Sequence, residues 1–133
     1  MSDLATIVSR HVGRAWKPPA FDCWEFLRCV YREALGIELH ALGHIAGETA
    51  QDMPFAYTES GSGRWLPVSI PQDGDAVAMG KRARPHHVGI WLSSDGGMIA
   101  HCSEPRGVTV APIRTLRAQG WATFQFYRYK GNA

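Results

Sequence analysis

Cys23 lies in the run Phe21-Asp22-Cys23-Trp24-Glu25, and a histidine-led run, His87-Val88-Gly89-Ile90-Trp91, follows far downstream. A thiol and an imidazole are the parts of a nucleophile and its general base. Asp22 sits where a helix N-cap belongs, and Glu25 falls three residues later, which is the spacing of a reciprocal capping box. Cys23 then occupies the first turn. The leading backbone N–H groups of a helix have no intrahelical partner and stand at the positive end of its dipole, so this position favours thiolate over thiol. The competing reading is packing, since free cysteine is among the most buried residue types. Cys29 is in the same helix without that electrostatic help and reads as core filler.

A second histidine is brought in by strand geometry. Ser93 to Gly97 is a turn-rich loop between two apolar runs, and a hairpin centred on Asp95 sets His101 opposite Gly89. His87 is then the diagonal neighbour of His101 on one face. Because strand side chains alternate, His86 points to the other face, as does Cys102 relative to His101.

The elements that carry these groups are helical first and extended later. Leu4, Ile7, Val8 and Val12 space as a short amphipathic helix, opened by Ser2 or Asp3 and stopped by Gly13. Cys23, Phe26, Leu27, Val30, Tyr31 and Ala34 form the apolar stripe of the second helix, with Gly36 as its left-handed stop. The stretch from His40 to Arg64 has weak periodicity, several glycines and Pro54, and reads as variable surface with at most one short helix. Strands are expected at Ala76 to Met79, His87 to Leu92, Met98 to Cys102, Val108 to Ala111 and Thr123 to Tyr129. Helices followed by antiparallel strands make the fold class α+β, with the N-terminal helices packed on an antiparallel sheet.

Composition narrows the function classes. A chain of 133 residues with 45% hydrophobic residues suits one domain, taken as residues 1–133. A formal net charge of +2 is too small to argue for nucleic acid, and no apolar run approaches the ~20 residues of a membrane span. The cysteines are three, an odd count, and their spacing fits neither a disulfide framework nor a zinc pattern, so a reducing compartment is expected. The N-terminal run Ser2-Asp3-Leu4-Ala5-Thr6-Ile7-Val8 lacks a basic leader followed by a long apolar stretch and a cleavage site, so no secretory signal is expected.

Metal binding is the main rival use of the same side chains. His86, His87, His101 and Cys102 come close in the hairpin, and His40 with His44 has the i, i+4 spacing of a helical ligand pair. Neither set carries an H-E-x-x-H or C-x-x-C pattern, and alternation separates Cys102 from His101. The expectation is no metal and no cofactor, with Cys102 packed.

Asp22-Cys23-Trp24 at a helix start, the Gly74-Asp75 turn into a strand, His87-Val88-Gly89-Ile90 and the strand Met98-Ile99-Ala100-His101 together resemble the NlpC-type cysteine peptidases, a papain-like group of cell-wall endopeptidases. More narrowly, Asp-Cys-Trp, the approach from Trp65 to Asp75 and the closing Phe126-Tyr127-Arg128 resemble the version found in tail assembly proteins of long-tailed phages. The resemblance spans about residues 12 to 129 and implies a papain-like fold. It implies Cys23 as nucleophile, His87 as general base and His101 as the third member that orients His87, which is triad logic with other residues. The Cys23 backbone N–H would be one oxyanion donor, and Trp16, Asp22 and Trp24 would line the oxyanion and substrate side. Many members carry a tyrosine upstream of the cysteine, whereas here the first tyrosine is Tyr31 and Trp16 offers only an indole N–H. The implied substrate is the peptidoglycan stem peptide, cut between D-glutamate and a diamino acid, and the implied partners are other phage tail-tip proteins in a virion assembled in the host cytoplasm. Lys81-Arg82-Ala83-Arg84-Pro85 reads as a solvated loop, with attraction of substrate carboxylates or of another tail protein as the functional alternatives.

Overall fold

The computed structural model describes residues 3–17, 20–39, 63–81 and 87–131. Two helices lead, α1 (Leu4–His11) and α2 (Cys23–Val30). The strands are β1 (Trp65–Val68), β2 (Ala76–Gly80), β3 (His87–Leu92), β4 (Met98–Ser103), β5 (Gly107–Ala111) and β6 (Thr123–Tyr129), with α3 (Ile113–Ala118) between the last two. They form one six-stranded sheet in the order β1-β6-β2-β3-β4-β5, every neighbouring pair antiparallel. The α+β expectation holds.

Helix α2 starts where its cap residue places it. Asp22 has extended backbone angles and its Oδ1 accepts from the Glu25 N–H at 3.0 Å, satisfying one of the orphan donors of the first turn. The capping box is only half formed. The Glu25 carboxylate turns along the helix to the Arg28 guanidinium at 2.8 Å, because an ion pair one turn on competes with reaching back. After Val30 the helix widens into a π turn, Tyr31–Leu35, and ends at Gly36 with φ +67°, a left-handed stop that glycine adopts without a Cβ penalty.

The core follows from that stripe. Cys23, Phe26, Leu27, Val30 and Tyr31 are all buried against Val88, Ile90, Ala100 and Cys102 of the sheet. Trp24 is buried as well, since α2 is covered by α1 on one side and by β3 and β4 on the other. Ala34, the last residue of the expected stripe, is only half-buried. A second cluster of Val77, Met79, Ile99, Leu116 and Trp121 fills the space between the sheet and α3.

Two elements had no clear periodic signal. The strand β1 is four residues long and contains Pro67, which is tolerated because β1 lies at the sheet edge and pairs with β6 alone. Helix α3 is six residues, too short for an apolar repeat to register, and buries only Leu116. Long-range polar contacts tie the sheet together. Asp75, buried at the start of β2, accepts from Arg128 of β6 at 3.0 and 2.8 Å and from the Gln72 N–H at 2.7 Å. The Tyr31 hydroxyl donates to the Gly74 carbonyl. Among the described residues no helix is long and apolar enough to cross a membrane.

Candidate active site

Cys23 is the first residue of α2, as its cap predicts, and is 2% exposed. Its sulfur accepts from the backbone N–H groups of Val88 and Trp24. Val88 directly follows His87, so the tip of α2 is set against the beginning of β3. The thiol's ionisation differs from the expectation drawn from the helix start. Burial pushes the Cys23 thiol well up, the Asp22 carboxylate adds to this, and the two backbone N–H groups do not offset them. The resting group is a thiol, because removing a sulfur anion from water outweighs the partial charge of a helix end.

The hairpin brings the histidines together in the expected register. Ile90 pairs with Ala100, so the next step along the ladder sets Gly89 against His101. A Cβ at Gly89 would lie 2.8 Å from the Ala100 carbonyl oxygen and 3.2 Å from the His101 Cβ, which is why this position takes glycine. His87 Nε2 lies 2.8 Å from His101 Nδ1, with the two rings edge to face at 86°. Both are buried, at 8% and 2% exposure. Burial, with Lys81 nearby, pushes His101 down to about 4, so it is neutral at physiological pH. Among the described residues its Nε2 has no hydrogen-bond partner.

An aromatic residue that sequence reasoning missed encloses this pair. Trp121 stacks on His87 with 4.9 Å between ring centres at 25°, meets His101 edge-on at 5.8 Å, and has the Lys81 ammonium 5.0 Å from its ring. Its position in the turn after α3 has no local signal that would link it to residue 87. Of the other site candidates, Asp22 is the helix cap, Trp24 lies in the core, and Trp16 is half-buried against the same core. Cys102 is fully buried beside them and its thiol is pushed up to about 12, chiefly by burial. His40, His44, His86 and the segment from Arg82 to Pro85 lie outside the described residues.

Cys29 departs from its expected role. It is half-exposed, with its sulfur 3.8 Å from His11 Nε2 and 3.6 Å from a Glu33 carboxylate oxygen. The helix turns it toward α1 and away from the sheet.

A thiol at a helix start beside a strand that begins with a paired imidazole is the arrangement of cysteine hydrolases. The sequence matches the model of the NlpC/P60 family over residues 10–128. The chain belongs to the NlpC/P60 family. This NlpC/P60 protein is therefore a cysteine peptidase. Its fold is similar to the crystal structure of the NlpC/p60 domain of the peptidoglycan hydrolase SagA, with a TM-score of 0.58 and 22% identity over 92% of this chain and 94% of that one. No curated protein sequence matches the chain.

Proposed function

We propose that this NlpC/P60 protein is an endopeptidase of the peptidoglycan stem peptide, working through Cys23, His87 and His101, and that it serves as a tail component of a long-tailed phage. The observation that carries the catalytic part is that the Cys23 sulfur meets the backbone of Val88, the residue that follows His87 in the chain, while the His87 imidazole is hydrogen-bonded to that of His101. The triad assigns the tautomers. His87 donates from Nε2 to His101 Nδ1, which leaves His87 Nδ1 as the base, and neutral His101 then carries its proton on Nε2.

His87 takes the thiol proton as the sulfur attacks the scissile carbonyl carbon. The resulting oxyanion is held by the Cys23 N–H at the helix start, with the Trp16 indole N–H as the candidate second donor in place of the upstream tyrosine. The C–N bond breaks, the amine leaves with the proton from His87, and water hydrolyses the thioester by the same base. The raised Cys23 thiol makes His87 essential at the moment of attack, since little thiolate exists beforehand.

Support for the substrate comes from the family and from SagA, which is described as a peptidoglycan hydrolase. Support for the tail role is the run Asp22-Cys23-Trp24 together with Phe126-Tyr127-Arg128. The burial of Cys23 favours a second reading, a tail-tip or tail-assembly subunit that keeps the peptidase fold with weak or no activity. Digestion of purified sacculi under reducing conditions tests between them. New amino termini that vanish in Cys23→Ala support the endopeptidase, and an unchanged muropeptide profile supports the subunit.

A further inference from the structure

The cluster of His11, Cys29 and Glu33 is outside the peptidase site. Cys29 is six residues beyond Cys23, about 9 Å along the helix axis. The donor atoms His11 Nε2, Cys29 Sγ and the Glu33 carboxylate all lie within 4.8 Å of one another. The individual separations are 2.8 Å from Nε2 to Glu33 Oε1, 3.8 Å from Nε2 to Sγ and 3.6 Å from Sγ to Glu33 Oε2.

This is not the geometry of a second catalytic triad. In a triad the acid holds one imidazole nitrogen and the nucleophile faces the other. Here sulfur and carboxylate converge on the same nitrogen, so the three donors surround a single point. Around a tetrahedral ion with metal–sulfur bonds of about 2.3 Å and metal–nitrogen or metal–oxygen bonds of about 2.0 Å, ligand atoms stand about 3.3 to 3.6 Å apart. The observed separations bracket those edges.

The ligands are also presented on ordered elements. Cys29 and Glu33 are one helical turn apart and share a face. His11 ends α1 and is buried, its ring edge-on to Phe26 at 6.0 Å and roughly parallel to Phe21 at 6.5 Å. Thiolate, imidazole and carboxylate together are a zinc donor set, and the half-exposed position of Cys29 leaves a fourth place open to water.

We propose that His11, Cys29 and Glu33 form a three-ligand binding site for a zinc-type divalent cation, clamping α1 to α2. One cation competes with it. The Arg14 guanidinium is 3.4 Å from His11 Nδ1 and lies 3.7 Å over the Phe21 ring. When the metal takes Nε2, the imidazole proton sits on Nδ1, so Nδ1 no longer accepts from Arg14, whose guanidinium keeps its place over Phe21, and the Cys29 thiol proton is released to solvent.

Cobalt and zinc titration of the full-length, reduced, chelator-stripped Cys23→Ala protein tests this, the substitution removing the catalytic thiol as an alternative ligand. The expected result is one ion per chain, a thiolate-to-cobalt charge-transfer band, and a melting temperature that rises with zinc. Adding Cys29→Ser removes the band, and His11→Gln or Glu33→Gln weakens zinc by about tenfold or more. Absence of the band in the Cys23→Ala protein overturns the proposal, whatever the variants do. Its persistence in the protein lacking Cys29 overturns it equally. Neither outcome depends on whether the peptidase reading is right.

Discussion

The Trp121 indole lies flat against the His87 imidazole, 4.9 Å between ring centres, and closes the side of the hydrogen bond that joins His87 to His101. A stacked neighbour of this kind restricts the ring about its χ2 axis, and an imidazole that must take a proton from sulfur cannot afford rotation.

Trp121 is therefore expected to act on turnover more than on binding. Trp121→Ala should lower kcat by about tenfold to a hundredfold with KM little changed, the penalty of a base displaced by an ångström or less. Trp121→Phe, which keeps a ring on His87, should recover most of it. Steady-state kinetics on a soluble muropeptide check this, and an alanine variant with unchanged kcat refutes the positioning role.

His101 makes stability depend on pH. Folded, it takes a proton only near pH 4, whereas the unfolded chain does so at the ordinary value of 6.5. Between those values the unfolded state binds more protons, so stability falls as pH drops from 6.5 toward 4 and levels off below. The shift corresponds to about 3 kcal/mol. Urea unfolding at both ends of the window should show that loss in the parent protein and a shallower one in His101→Asn. Equal slopes for the two proteins count against the buried neutral imidazole.

Burial sets Cys23 and Cys29 apart in reactivity. Cys23 is buried with its thiol held up, whereas Cys29 is half-exposed. In the reduced protein near neutral pH, iodoacetamide should modify Cys29 first, and the Cys23 rate should climb steeply with pH. Peptide mass mapping of a time course reads this directly. Rapid labelling of Cys23 at pH 6 would mean that the thiolate is already formed.

Gly89 is where the hairpin is tightest. Gly89→Ala places a methyl 2.8 Å from the Ala100 oxygen and 2.9 Å from Ile99 Cγ2, so strands β3 and β4 must part locally. The expected cost is about 1 to 3 kcal/mol of stability. Peptidase activity should fall by more than the unfolded fraction accounts for, because His101 rides on the displaced strand. Thermal melts paired with activity at a temperature where the variant is folded separate the two effects.

Much of this was legible in the chain because it depends on near neighbours. A cap at Asp22 fixes where α2 begins, and strand alternation with a turn centred on Asp95 fixes which histidines meet; both rest on local backbone geometry. The strand bounds at His87–Leu92 and Thr123–Tyr129 came from the same source. Contacts set by chain return were not legible. The Trp121 ring reaches His87 only because α3 folds back over the sheet, and β1 exists only because β6 pairs with it from the far end of the chain.

Residue types and short spacings thus determined which groups can do chemistry, since a helix start, a period of two and a tight turn act within a few residues. Tertiary structure decided their state. How far the Cys23 proton is held, why His101 stays neutral, and that Cys29 faces His11 instead of the core all follow from exclusion of water and from packing between distant segments, which no local pattern encodes.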